Sequence, residues 1–235
     1  MKARQLFCVV VLCTSLARAQ APKLEPSNPD HTVPVVTFEF SFPGSDPGHF
    51  SIAVEPDGKA AFRADEIQAG STPADPYLLK FVVSDPARTR IFQLARALNF
   101  FQGDFQYRGG ERIANMGAKT LRYDENDKHY STAYNYSTNP AIQELTRIFQ
   151  NMAATLQFGY RLTYLHRFDK LGLDGELKLV EDWAKDNRLG ELQVLEAPLR
   201  DIFNDYSVLN ISRRRAERLL LIIKANASAH AAAPE

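Results

Sequence analysis

The chain has 235 residues, 28 basic and 28 acidic side chains, and two cysteines. A formal net charge of zero supplies no overall field that would draw in nucleic acid or an anionic membrane. No apolar run beyond the first residues is long enough to cross a bilayer as a helix.

The chain opens with MKARQLFCVVVLCTSLARAQA. Lys2 and Arg4 precede an apolar stretch, Leu6 to Leu16, which is too short to span and of the length of a secretory leader. Ala17-Arg18-Ala19 fits the small-x-small cleavage rule, and Ala19-Gln20-Ala21 is the alternative. The expectation is a signal peptide over 1–19 and a periplasmic or secreted mature protein. Cys8 and Cys13 both lie in the leader, and Leu12, Val11 and Val10 before Cys13 argue against a lipid anchor. The mature chain would then lack disulfides, thiolate metal ligands and a cysteine nucleophile. It would carry 25 basic against 28 acidic residues, since the leader holds Lys2, Arg4 and Arg18 and no acid.

Residues 20–34 are rich in proline and read as a linker. An α+β domain is expected over 35–165. Its first strand places Val36, Phe38, Phe40 and Phe42 on one face and Thr37, Glu39 and Ser41 on the other. Phe50, Ile52 and Val54 repeat that alternation. Pro56-Asp57-Gly58-Lys59 turns the chain, and Ala60 to Ala64 returns as a hairpin arm. Tyr77 to Val83, nearly all apolar, reads as a central strand.

Ser84-Asp85-Pro86 opens a helix with Ser84 or Asp85 as its cap and Ile91, Leu94, Ala95 and Leu98 as its apolar stripe. Asn99 to Tyr107 is an aromatic loop. Lys119 to Tyr136 forms a second hairpin whose Asn126-Asp127 loop pairs Glu125 with Lys128 and Tyr123 with Tyr130. Asn139-Pro140 starts a long helix reaching toward His166, with Ile142, Leu145, Phe149, Met152 and Leu156 on its buried face. The fold class expected is therefore α+β: an antiparallel sheet of two hairpins plus a central strand, with helices on one face. An all-helical region follows over 166–224, with helices at Glu176–Lys185, Leu189–Phe203 (interrupted or kinked at Pro198) and Ser212–Lys224. Residues 225–235 are expected to be a disordered tail.

Catalytic signatures are sparse. His31, His49, His129, His166 and His230 contain no i, i+4 pair and no metalloprotease motif, so no metal or cofactor is expected. Asp124-Glu125-Asn126-Asp127 lacks the spacing of a calcium loop and reads as a hairpin tip. No serine-hydrolase motif is present, and the Ser51–His49 pair sits on an ordinary strand. Gly110 to Thr120 echoes a P-loop, but Ala118 separates Gly117 from Lys119 and a strand follows where a helix should. The carboxylate pairs Asp65–Glu66, Asp169–Asp174 and Glu181–Asp182 read as exposed charges. Arg213, Arg214, Arg215 and Arg218 read as a solvated face or as partners for Glu181 or Asp182. Ser212 reads as the cap of their helix. Asn135, Asn210 and Asn226 each head an N-x-Ser triplet, a pattern with meaning only in a eukaryotic secretory pathway.

What remains is aromatic excess. Phe100, Phe101, Phe105 and Tyr107 in the loop, with Tyr130, Tyr134 and Tyr136 on one face of the second hairpin, are the candidate binding residues. The competing reading makes the tyrosines a seam between sheet and helix.

The runs FPGSDPGHFSIAVEPDGKAAF, FVVSDPARTRIFQLARALNFFQGDF and KTLRYDENDKHYSTAYNYSTNPAIQEL, lying between Phe42 and Phe158, resemble secreted bacterial domains of unassigned function. The resemblance implies an exported bacterial protein and carries over no site residues. The expected function is a non-enzymatic binding or protein-interaction module of the envelope, whose partner is another envelope protein or a glycan. The alternative is a carboxylate-dependent hydrolase acting on cell-envelope material.

Overall fold

The computed structural model describes residues 33–65 and 76–232, with side chains through Ser228. The expected leader, most of the linker, His31, Glu66 and the His230 side chain lie outside the described residues.

Six strands form one antiparallel sheet: β1 (Val35–Ser41), β2 (His49–Val54), β3 (Lys59–Asp65), β4 (Tyr77–Val82), β5 (Ala118–Glu125) and β6 (Lys128–Tyr134), in the order β4-β3-β2-β1-β5-β6. Period-two alternation puts Phe38, Ile52, Phe62 and Leu121 on one face, all fully buried. Their ring neighbours cross the strands: Phe38–Phe50 at 6.0 Å, Phe50–Phe62 at 6.1 Å and Phe62–Tyr77 at 6.2 Å. Gly58 adopts φ 88° in the β2–β3 turn, and a Cβ there would lie 3.0 Å from the Val83 carbonyl oxygen. The β5–β6 hairpin has the expected register, Glu125 opposite Lys128 and Tyr123 opposite Tyr130, with Asn126 in the left-handed region that asparagine tolerates.

β4 is an edge strand and not the central one. The apolar run YLLKFVV conceals a two-faced strand. Tyr77, Leu79 and Phe81 pack against the core, while Leu78 and Val82 are 66% and 64% exposed. Continuous apolarity signalled burial on both faces, and only one is covered.

The covered face carries α1 (Asp85–Ala97) and α2 (Pro140–Phe168). The Asn139 side chain accepts from the backbone N–H groups of Ala141 (2.9 Å) and Ile142 (3.3 Å), and Pro140 occupies the first turn. Phe149 of α2 stacks on Phe38 at 5.2 Å. At α1, Ser84 is the N-cap by position, and its carbonyl accepts from the Arg88 N–H at 2.9 Å, but its side chain makes no bond into the helix. Its hydroxyl and N–H go to Glu191 instead.

Beyond the sheet come α3 (Leu173–Lys185), a 3-10 turn (Leu192–Leu195), α4 (Glu196–Asn204) and α5 (Asn210–Ala232). Pro198 lies in the first turn of α4, where proline is tolerated, so the expected Leu189–Phe203 helix starts later and is preceded by the 3-10 turn. α5 continues helically through Ala225, where fraying was expected, as far as Ala232. A second core gathers Leu173, Leu177, Val180, Leu195, Leu199, Ile202, Ala216 and Leu219. α2 belongs to both cores: Ile142 to Leu156 pack under the sheet, and Phe158 and Leu162 pack among the later helices. The sequence boundary at 165/166 falls inside this helix.

Candidate functional site

The seven aromatic candidates do not form one surface. Phe101 is fully buried and Tyr134 nearly so, which removes both rings from any contact surface. The cause lies in the backbone. Asn99, Phe100 and Phe101 all adopt left-handed φ values of 49°, 54° and 68°, a tight reversal that swings Phe101 into the core and sets Phe100 against Tyr123 at 4.6 Å. Phe105 and Tyr130 pack partly onto the same core. Tyr107 and Tyr136 form an edge-on pair at 5.8 Å, and the Tyr107 N–H donates to the Tyr136 carbonyl at 2.8 Å.

Tyr136 and the rim of Tyr134 line a cleft of about 190 Å³ between the end of β6 and the first turns of α2. Lys119, Thr146, Arg147 and Gln150 share it. Lys119 is the residue that alternation places inward on β5, in register with Phe40 and Tyr134. It is only 5% exposed. Its Nζ donates to three backbone carbonyls, those of Met116 (2.9 Å), Gly117 (3.0 Å) and Asn135 (2.8 Å), and lies 5.6 Å from the Phe40 ring centroid. Burial pushes the Lys119 ammonium below its ordinary pKa. Gly117 makes this arrangement possible: φ is 85°, and a Cβ would stand 2.5 Å from Phe40 Cε2.

The remaining polar groups divide sharply. Tyr134 Oη meets Thr146 Oγ1 at 2.6 Å, and the Thr146 hydroxyl donates its one proton to the Ile142 carbonyl at 2.7 Å, so Tyr134 is the donor. Gln143 donates to the Ser137 carbonyl. Asn135 accepts from Met116 N–H and donates to the Ala114 carbonyl, so its amide is committed to the loop. Among the described residues, no hydrogen bond or ion pair engages the Arg147 guanidinium, the Gln150 amide or the Tyr136 hydroxyl. No carboxylate lines the cleft. A desolvated ammonium and an open guanidinium face a small space bordered by neutral donors.

In two larger clefts the charges are engaged among the described residues, except for Arg96 in the second. In one of about 870 Å³ between α1, the 3-10 turn and α5, Glu191 binds Ser84 and Arg90 binds Glu144 through two bonds. In a groove of about 780 Å³ beside Phe92 and Phe100, Arg88 binds the Pro56 carbonyl and Tyr123 donates to Glu125.

The other sequence candidates also find partners. His49 pairs with Asp65, His129 with Asp124 and His166 with Asp205. Among the described residues no group of three metal-ligating side chains converges. Ser51 stands in register with Glu39 and Arg63. The arginine cluster is not merely solvated: Arg215 binds Asp174 and Glu181, and Arg218 binds Glu181, joining α5 to α3. Ser212 lies inside α5, and its buried Oγ finds no hydrogen-bond partner.

Sequence reasoning reached Tyr134 and Tyr136 but missed Lys119 and Arg147. The available signal was Lys119 itself, a charge at an inward register position two residues before Leu121. No protein-family model matches the chain, and no curated protein matches it.

Proposed function

We propose that this chain is an exported, non-enzymatic binding module of the bacterial envelope, and that the cleft between β6 and α2 receives an acidic group of its partner. The observation that carries the reading is the lining of that cleft: Lys119 and Arg147 contribute charge of one sign, no carboxylate lines it, and Glu144, the acid that acts on Arg147 from the same helix, is bound by Arg90. A carboxylate entering there would meet the guanidinium in the geometry arginine favours and would compensate the buried ammonium. The basic n-region, the apolar run Leu6 to Leu16 and Ala17-Arg18-Ala19 support export. The partner is an envelope protein or glycan bearing carboxylates.

The alternative, a carboxylate-dependent hydrolase, requires an acid held protonated in a pocket. The shifted acids among the described residues, Asp57, Asp104, Glu144 and Asp205, all move the other way because lysine or arginine binds each of them.

The test is calorimetric or NMR titration of the chain with N-acetylglutamate amide and with the neutral N-acetylglutamine amide. Binding of the acid only, weakened about tenfold or more in Arg147→Gln, is the expected result. Equal response to both compounds, or an unchanged response in the variant, would overturn the reading.

A further inference from the structure

At the end of the helical region remote from the sheet, two turns lie side by side. Lys170 Nζ donates to Asp205 (2.6 Å) and Ser207 (2.5 Å), and His166 pairs with Asp205 at 2.9 Å, tying the α2–α3 turn to the α4–α5 turn. Both turns thrust large apolar side chains outward. Tyr206 is 87% exposed, Leu171 75% and Phe168 63%, and Leu209 and Ile211 are also exposed. Single exposed apolar residues are ordinary, but five on two joined turns make a patch.

Three arginines flank that patch. The Arg167 guanidinium sits 5.0 Å from the Phe168 ring centroid, and that of Arg213 sits 4.3 Å from the Tyr206 ring centroid. Arg214 is exposed beside it. None of the ion pairs among the described residues involves these three arginines; Arg213 Nε donates to the Phe203 carbonyl at 2.8 Å, which leaves its terminal nitrogens. Of the nearby acids, Asp205 is held by Lys170 and His166, Asp169 accepts from the Gly172 N–H, and Asp174 is bound by Arg215, while Asp201 on α4 and Glu217 on α5 are exposed.

We propose that this tip docks on an anionic lipid surface. Protruding aromatic and aliphatic side chains, with arginine guanidinium groups lying over two of the rings, match the interfacial layer of a bilayer, where apolar tips enter and guanidinium groups meet phosphates. The net charge of the chain does not bear on this, because the relevant field falls off within a Debye length of the patch. No helix of the described residues is long and apolar enough to cross a membrane, so the contact is with the surface.

Hydrogen–deuterium exchange on the full chain tests the assignment, because it separates contacts of the tip from contacts of any other segment. Vesicles of phosphatidylglycerol with phosphatidylcholine should slow exchange in peptides covering 164–172 and 204–214. Pure phosphatidylcholine vesicles should not. The double variant Arg213→Gln/Arg214→Gln should lose affinity for the anionic vesicles by on the order of tenfold or more. The exposed-site variant Leu171→Ser should lose the protection without loss of thermal stability. Absence of protection at the tip overturns the proposal, and so does equal protection by neutral vesicles. Protection that rises with protein concentration in the absence of lipid overturns it in favour of a second copy of the chain.

Discussion

The Glu191 carboxylate closes the amino-terminal end of α1 from across the molecule, accepting from Ser84 N–H at 2.7 Å and from Ser84 Oγ at 2.9 Å. An acid at a helix N-terminus meets both free N–H groups and the positive end of the helix dipole. Glu191 does so from a left-handed backbone, φ 57°, which opposes the bond with local strain. Glu191→Ala should lower stability by about 1–3 kcal/mol, and Glu191→Gln by less. Urea denaturation checks both. A midpoint unchanged in Glu191→Ala would show that the bond adds nothing to stability, since alanine keeps the left-handed strain.

Glu181 is nearly buried between Arg215 and Arg218. Removing it leaves Arg215 with Asp174 alone, in a partly desolvated setting. Glu181→Ala should cost about 2–4 kcal/mol. Arg218, whose side chain is about half exposed, should cost under about 1 kcal/mol as Arg218→Ala. Equal losses in the two variants would contradict this division.

Ser212 buries a hydroxyl without a partner. Ser212→Ala should leave stability unchanged or raise it by up to about 1 kcal/mol, and alanine also favours the helix. A clear fall in melting temperature would instead show that Ser212 makes a bond that the geometry does not reveal.

Burial pushes the Tyr134 hydroxyl up to about 12. In the unfolded chain a tyrosine titrates near 10. The raised value means that the stability tied to neutral Tyr134 is complete below about pH 10 and is lost as pH rises from about 10 to 12. The loss reaches about 2–3 kcal/mol at the upper end. Tyr134→Phe should start from a lower stability, because Thr146 loses its donor, and should decline less steeply over that window. Denaturant midpoints measured at a series of alkaline pH values, with absorbance at 295 nm reporting tyrosinate, distinguish the two slopes.

The parts of the fold legible in the sequence are those governed by neighbours in the chain. Asn126-Asp127 set the register of the second hairpin, and Asn139-Pro140 set the start of α2, because turn and cap chemistry act over two to four residues. The Phe38, Ile52 and Val54 positions followed from alternation alone. What was not legible depends on pairings between distant segments. β4 could be placed at the edge only once the order of all six strands was known. Ser84 offered itself as a helix cap, and nothing local showed that Glu191 would take its hydroxyl. The cleft escaped for the same reason: Lys119 and Arg147 belong to different elements, and only the packing of α2 on β6 makes them neighbours. Phe101 looked like a contact residue because aromatic loops are commonly exposed, whereas three successive left-handed residues turned it inward.

α2 begins at the cleft and ends at the tip. From Gln143, at the cleft wall, to Phe168, at the tip, the helix advances 25 residues, a rise of about 38 Å at about 1.5 Å each. Because its side chains are anchored in both hydrophobic cores, that length is a fixed spacer. A partner held in the cleft would stand some way off any surface touched by the tip, at a height set by one continuous helix. Shortening α2 by whole turns would lower that height in steps of about 5.4 Å.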